Sequence, residues 1–146
     1  MDAKCYLTQV AKLDAIIQNK LIEKAQWMDI ALGITANMSG ERVQTSGAKS
    51  KMAEAVEKCV DMETEINALI DRLIDTKKDV VATIEQVENP TEYDVLHKRY
   101  IQKMGLQEIA DAYGKEYGWA TTTHGRALKS VQQILDAREC HSIAEN

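Results

Sequence analysis

The sequence predicts an all-α protein in which a long antiparallel helical hairpin precedes a three-helix unit. The first observation is composition: the 146 residues include one proline and no phenylalanine, while helix-forming Ala, Leu, Lys, Glu and Gln are abundant. The second is the helical and heptad spacing of apolar residues through the first 90 positions. The third is a pair of helical patterns separated by a tyrosine–glycine turn in the last third of the chain.

The first helix is predicted from about Ala3 to Leu32, where apolar side chains fall on one helical stripe and charged ones fall beside it. Gly33 is expected to end this helix, since glycine readily adopts the left-handed conformation found after helices. The polar segment from Ile34 to Ser50 is then expected to be a solvent-exposed loop. The stripe consists of Val10, Leu13, Ile17, Leu21, Met28 and Leu32.

The second helix is predicted over about Lys51 to Glu88, and its apolar residues keep a spacing of 3.5 over five heptads. This spacing is typical of a coiled-coil seam, along which the first helix can fold back. Glu63 and Lys77 interrupt the seam, where buried polar residues would fix register or partner number; the alternative is that water reaches them. The seam comprises, among others, Val56, Glu63, Ile66, Ile70, Leu73, Lys77, Val80 and Ile84.

Self-association is expected because a two-helix hairpin buries little surface for its length. Further apolar residues, such as Val60, Leu69 and Ile74, lie beside the seam and need covering. The hairpin is therefore predicted to form a homo-oligomer of undetermined number. The alternative is a packed helix pair without a partner.

A domain boundary is predicted at Asn89–Pro90, because the residue before a proline disfavours helical geometry. Residues 1–89 then form the hairpin, for oligomerisation or partner binding, and residues 90–146 form the three-helix domain. The tail from Arg138 is expected to fray. The three helices are predicted at about Thr91–Lys103, Leu106–Tyr113 and Tyr117–Ala137.

The pattern around residue 110 is that of a helix-turn-helix. Ala110 lies where the two helices cross most closely, so a small side chain is needed there. Gly114 follows the first helix and can take the left-handed conformation that stops it. The second helix would lie across the first and could enter a DNA major groove. This arrangement predicts binding rather than catalysis.

Enzymatic, metal-binding and membrane functions are not expected. The sequence contains no Ser-His-Asp or Cys-His arrangement, no glycine-rich phosphate loop and no paired ligands at zinc spacing, so neither catalytic residues nor a cofactor is predicted. Cys5, Cys59 and Cys140 are interpreted as reduced thiols. Without an apolar run of membrane-spanning length or a signal peptide, the chain is expected in the cytoplasm.

The C-terminal segment resembles region 4 of bacterial sigma factors. The likeness rests on four motifs that share one register, namely Arg99-Tyr100, Met104-Gly105-Leu106, Glu108-Ile109-Ala110 and Arg126-Ala127-Leu128. Most of the chain is also similar to a family of small sigma-like phage and prophage regulators of the autolysin-regulatory type. The residues outside the helix-turn-helix that carry this second likeness are Arg42-Val43-Gln44-Thr45-Ser46-Gly47 and Lys51-Met52-Ala53-Glu54-Ala55-Val56.

These resemblances imply a phage or prophage transcriptional regulator that acts in the host bacterial cell on promoter DNA, RNA polymerase or both. The sigma-like register implies that bases are contacted from the first turns of the last helix, by Tyr117, Gly118, Thr121 and Thr122. Phosphate contacts are expected from basic residues that flank the motif; for each, the alternative is a solvated side chain on an exposed helix face. These residues are Arg99, Lys103, Lys115, Arg126 and Lys129.

A second function class remains open, a structural or assembly adaptor that uses its helices for protein contacts. The net charge is −5, with −4 in residues 1–90 and −1 in residues 91–146, whereas nucleic-acid binders usually carry a basic excess. Glu116 occupies the N-cap position where serine or threonine is usual. The base-contact positions carry mostly short or aromatic side chains. These features favour the adaptor, and the motif register favours the regulator.

Overall fold

A computed structural model describes the backbone of residues 1–38 and 45–145, and the side chains of residues 1–33 and 50–145. The described residues are mostly helical and contain no strand, which confirms the predicted all-α class. The five helices are α1 (Ala3–Met38), α2 (Thr45–Glu85), α3 (Pro90–Leu96), α4 (Leu106–Ala112) and α5 (Tyr117–Ala144), and a π-helical turn, His97–Ile101, follows α3.

Both ends of the expected loop are helical, so the prediction of a loop over residues 34–50 was wrong at its flanks. The α1 helix continues through Gly33 to Met38, and α2 begins at Thr45. One glycine inside a helix costs only about 1 kcal/mol relative to alanine, which does not interrupt a helix of this length. Residues 39–44 lie outside the described residues, and with them part of the motif that begins at Arg42.

Asn89 and Pro90 begin α3 instead of ending α2, which stops earlier at Glu85. The Asn89 side chain accepts hydrogen bonds from the backbone amides of Thr91 and Glu92, at 3.0 and 3.1 Å. Pro90 occupies the first helical position, where its missing N–H is not needed. The C-terminal tail is also more regular than expected, since α5 continues to Ala144.

The chain divides into two compact units, unit 1 (Met1–Lys12 and Ile74–Asn146) and unit 2 (Leu13–Leu73). The division therefore does not fall at Pro90, which lies inside unit 1. The reason is that the start of α1 packs within unit 1. The Tyr6 hydroxyl donates to Asp79 and shares a 2.8 Å hydrogen bond with Thr83. The Ala3 amide donates to Gln132 on α5, at 2.8 Å.

Unit 2 consists of the later part of α1 and the earlier part of α2. Lys20 pairs with Glu65 at 3.0 Å, and Lys24 pairs with Glu63 at 3.8 Å. The Cys59 thiol also lies 3.8 Å from the Lys24 carbonyl oxygen. In these contacts the residue numbers rise along α1 while they fall along α2, so the two helices run antiparallel in unit 2.

In about half of the predicted seam of α2, the more buried residue is the one directly before the predicted residue. In unit 2 the buried residues are Ala55, Cys59, Met62 and Ile66, whereas Val56, Glu63 and Ile70 are exposed and Leu73 is half-buried. In unit 1 the predicted residues Val80 and Ile84 are buried and Lys77 is exposed. The two registers share Cys59, Ile66, Val80 and Ile84, all of which are buried. They differ at Ala55 and Met62, which are buried in place of their predicted neighbours Val56 and Glu63.

The core of unit 1 forms where α3 and α4 pack against α5. Ala110 is fully buried, as its small size predicts. Six residues of the three-helix region are buried there, namely Leu96, Tyr100, Ile109, Ala110, Ala127 and Val131.

Ile66→Ala is expected to lower the free energy of unfolding by roughly 2–5 kcal/mol, because Ile66 is 4% exposed and its loss leaves a cavity. Ile22→Ala is the matched control, since Ile22 is 58% exposed in the same unit and its loss should cost less than about 0.5 kcal/mol. Urea titration followed by circular dichroism measures both. Equal losses would contradict the assigned buried row.

Candidate nucleic-acid interface

The turn between α4 and α5 is set by Gly114, as predicted. Gly114 has a φ of +63° and is in the left-handed conformation. Its amide donates to the Asp111 carbonyl at 3.1 Å, and the Lys115 amide donates to the Ala110 carbonyl at 2.9 Å. This pair of bonds satisfies the last carbonyls of α4. Glu116 then precedes α5 in extended geometry, without a side-chain capping bond.

The two faces of α5 differ sharply in burial. Ala120, Thr123, Ala127 and Val131 are buried on the inner face. The predicted base-contact residues lie in the first two turns, away from that face. Tyr117, Gly118 and Thr122 are exposed, and the half-buried Thr121 donates its hydroxyl hydrogen to the Gly118 carbonyl at 2.9 Å.

The outer face of α5 is unusually flat. Gly118, Thr122, Gly125 and Lys129 follow one another at spacings of four, three and four residues and are all exposed. They therefore form one stripe along the helix. Tyr117, at 52% exposure, is the large side chain beside its beginning. Apart from Lys129 at its end, this described stripe carries no long side chain that could read bases.

The five predicted phosphate-contact residues are all exposed. The Arg99 guanidinium donates to the Met104 carbonyl at 3.1 Å, which fixes it beside the end of the π-helical turn. Lys103 has a φ of +60°, a conformation that costs a non-glycine residue about 1–2 kcal/mol. The set consists of Arg99, Lys103, Lys115, Arg126 and Lys129.

His124 is half-buried. Its Nε2 atom lies 2.7 Å from the Tyr100 hydroxyl oxygen, and the two rings stack with centroids 5.7 Å apart. Burial lowers the pKa of His124 below 6.5, and the positive charges of Arg99 and Lys4 lower it further. Both cations therefore act on one ring at the start of α5.

Lys4 is the functional candidate that sequence reasoning missed. With Lys129 it lines a small hollow of about 220 Å³, which also includes Asp2 and Gln132. Lys4, Arg99 and Lys129 are named here the basic cluster, because Lys4 is linked to Lys129 by the hollow and to Arg99 through His124. No local signal could have found Lys4, since it reaches α5 only through the packing of the first turns of α1.

A second cluster of contacting side chains, formed by Asp94, Lys98, Tyr113 and Trp119, lies at the start of α5. The Tyr113 hydroxyl donates to Asp94, and Lys98 pairs with Asp94 at 3.2 Å. The Tyr113 ring lies 4.9 Å from the half-buried Trp119 ring. Trp119 thus packs against Tyr113 at the start of α5. Burial and the hydrogen bond to Asp94 raise the pKa of Tyr113 to about 12. Burial opposes ionisation of Asp94, but its bonds to Tyr113 and Lys98 keep its pKa below the ordinary value.

Tyr113→Phe is expected to lower the free energy of unfolding by about 1 kcal/mol, because it removes the hydroxyl bonded to Asp94 and keeps the ring against Trp119. Tyr117→Phe, at an exposed ring, should leave stability unchanged. Thermal and urea unfolding of both variants measure the difference. Equal effects would show that the Asp94 bond contributes no stability.

His124 should make the protein less stable in mild acid. Its pKa is lower folded than unfolded, so between about pH 6.5 and the lowered pKa the unfolded chain binds a proton that the folded chain does not. The stability contribution is present above pH 6.5 and is lost as pH falls. Unfolding free energies at pH 7.5 and 5.0 should differ less in His124→Gln than in the wild type or in the control His141→Gln. An unchanged pH dependence would contradict the burial of His124.

The described residues show neither a metal cluster nor a membrane span. No three His, Cys, Asp or Glu side chains among them are grouped to hold a metal ion. Cys5, Cys59 and Cys140 are free thiols. None of the described helices is both long and apolar enough to cross a bilayer.

Comparison with known proteins gives one match. No curated protein and no solved structure is detectably similar to the chain. Residues 34–136 match the model of a family described as a protein of unknown function, DUF1492. Since this match covers more than two thirds of the chain and includes α2, the turn before α5 and most of α5, the chain belongs to the DUF1492 family.

Proposed function

We propose that this chain is a phage or prophage transcriptional regulator that binds double-stranded promoter DNA through α5, RNA polymerase, or both. One observation carries the proposal: the basic cluster lies along α5 between His124 and Gln132, on a helix whose first turns are exposed and which follows the turn at Gly114. A helix presented in this way can enter a major groove while flanking cations contact phosphates. The sigma-like motifs of the sequence support the same role.

The flat stripe of α5 determines how such binding would work. Glycines at positions 118 and 125 allow the helix backbone to approach a groove closely. Thr122 can contact a thymine methyl group or a phosphate, and Tyr117 can contact a base edge. With so few base-reading groups, affinity would come mainly from phosphate contacts made by the basic cluster and Arg126. Binding is therefore expected to be modest, weakly sequence-specific and steeply dependent on salt.

A second candidate function, a non-enzymatic assembly adaptor, is favoured by the charges around the turn. Glu108, Asp111 and Glu116 are exposed on or next to α4 and the turn, and the whole chain carries a net charge of −5. Carboxylates there would repel phosphates. In this function the exposed Tyr117 would contact a protein, since tyrosine is enriched in protein interfaces.

Duplex DNA binding as a function of salt tests the proposal. The test uses DNA duplexes from the region that flanks the gene. The logarithm of the binding constant should fall with the logarithm of the salt concentration, with a slope of about −0.9 per phosphate contact. Lys4→Gln, Lys129→Gln and Arg126→Gln should each weaken binding and reduce the slope by about one contact. Lys58→Gln, an exposed lysine on α2 in unit 2, is the control and should change neither.

The outcomes separate the two functions. Loss of slope in Lys4→Gln but not in Lys58→Gln would support DNA binding through the basic cluster. An absence of binding to any duplex at low salt would contradict it. Binding to purified bacterial RNA polymerase, with and without Tyr117→Ala, would then distinguish a regulator that contacts only polymerase from an adaptor that contacts neither.

A further inference from the structure

A second heptad stripe remains uncovered on α2. It lies one residue beyond the buried row, and its spacing alternates between four and three residues, as in a coiled coil. This stripe, named here the outer stripe, consists of Val56, Val60, Glu63, Asn67, Ile70, Ile74, Lys77 and Val81. Val81 is half-buried and the other seven are exposed. The outer stripe includes the four residues of the predicted seam that are exposed, namely Val56, Glu63, Ile70 and Lys77.

The outer stripe exposes more aliphatic surface than a solvated helix face requires. Val56, Val60, Ile70 and Ile74 are 44%, 58%, 37% and 47% exposed. A shallow groove of about 430 Å³ runs along Ile74 and Val81 on the same helix. Clustered exposed aliphatic residues of this kind mark interaction surfaces in soluble proteins. The alternating spacing fits the side chains of another helix in particular.

We propose that the outer stripe is a self-association surface, on which α2 of a second copy of this chain packs antiparallel about a two-fold axis close to Ile70. Charge selects this occupant and this direction. Glu63 and Lys77 lie seven residues before and seven residues after Ile70. An antiparallel pair therefore brings Glu63 of each copy beside Lys77 of the other, twice across the axis. A parallel pair would place Glu63 beside Glu63 and Lys77 beside Lys77.

The apolar residues match in the same arrangement. Ile70 meets Ile70 of the second copy at the axis, and Val60 lies level with Val81. Asn67 lies level with Ile74 and is the polar exception, at a type of position where one amide fixes register at a cost in stability. Glu63 is available for the contact, because its ion pair with Lys24 is long, at 3.8 Å, and its side chain is exposed.

The α1 helix widens this face within unit 2. Leu21, Met28 and Leu32 are exposed and are rotated from the buried row of α1 in the same sense as the outer stripe from that of α2. Because the two helices run antiparallel there, the same sense of rotation places both stripes on one side of the pair. A stable interface needs about 800 Å² from each partner, more than one helix stripe supplies. Two-helix faces meeting as a four-helix bundle provide it.

The first test is the mass of the full chain in sedimentation equilibrium at micromolar concentrations. The wild type should sediment at twice the 16.4 kDa of one chain. Ile70→Asp should raise the dissociation constant at least about a hundredfold, because it places two carboxylates at the axis. Ile22→Asp is the matched control, since Ile22 is exposed on α1 outside both stripes, and it should not change the mass. Circular dichroism checks that both variants remain helical.

The second test is a charge exchange, which reports the register directly. Glu63→Lys alone and Lys77→Glu alone should each weaken the dimer roughly tenfold, since each homodimer then contains two like-charged pairs. Mixing the two single variants should restore association, because the mixed dimer contains two Lys–Glu pairs. The double variant carrying both changes should also associate like the wild type.

Each outcome decides the proposal. A wild type that sediments as a monomer, or an Ile70→Asp variant that keeps the wild-type mass, would overturn it. Failure of the mixed variants to associate more tightly than either variant alone would overturn the two-fold antiparallel register. Restoration on mixing cannot come from pairing within one chain, so it would establish the contact between copies. None of these measurements depends on whether the chain binds DNA.

Discussion

The docking of the first turns of α1 is the constraint on which unit 1 depends. Tyr6 donates to Asp79 and shares a hydrogen bond with Thr83, and burial, together with the Asp79 bond, raises its pKa. Gln132 binds this segment from α5, since it accepts from the Ala3 amide and donates to the Met1 carbonyl at 3.1 Å. These contacts join the beginning of the chain, the end of α2 and the last helix into one core. The candidate site inherits its geometry from them, because they bring Lys4 beside Lys129 in the middle of α5.

The same constraint explains why the turn before α5 could be predicted from the sequence but the position of Lys4 could not. Gly114, Ala110 and the start of α5 at Tyr117 follow from local rules about turns, helix crossings and caps, so they were predictable from adjacent residues. Lys4 and the half-buried His124 were not. Their positions depend on contacts between residues that are far apart in sequence, and neither periodicity nor motif spacing carries that information. The exposed charges of Arg99, Lys115 and Arg126 were local features and were found.

The seam of α2 shows a different limit of sequence reasoning. Heptad spacing correctly identified a long helix with one packed row. The predicted row and the buried row have Cys59, Ile66 and Val80 in common. It could not decide which neighbouring row faces the rest of the same chain. Shape decides this, because an alanine at position 55 allows close packing and leaves the larger Val56 outside. A one-residue rotation of about 100° thus separates the surface that stabilises one chain from the surface proposed to join two.

The weak readout capacity of α5 gives self-association a functional consequence. The exposed face of α5 that carries Gly118, Thr122 and Gly125 offers few groups that can distinguish bases, and each good base contact is worth only about 1–3 kcal/mol. Specific sites usually need a preference of about 4–10 kcal/mol over other DNA. One such helix does not reach that range by itself. A regulator with this helix would therefore need a second DNA-binding helix held at high effective concentration, or a polymerase contact that supplies the remaining preference. If the chain is instead an adaptor, α5 does not have to distinguish DNA bases, and neither a second DNA-binding helix nor a polymerase contact is required.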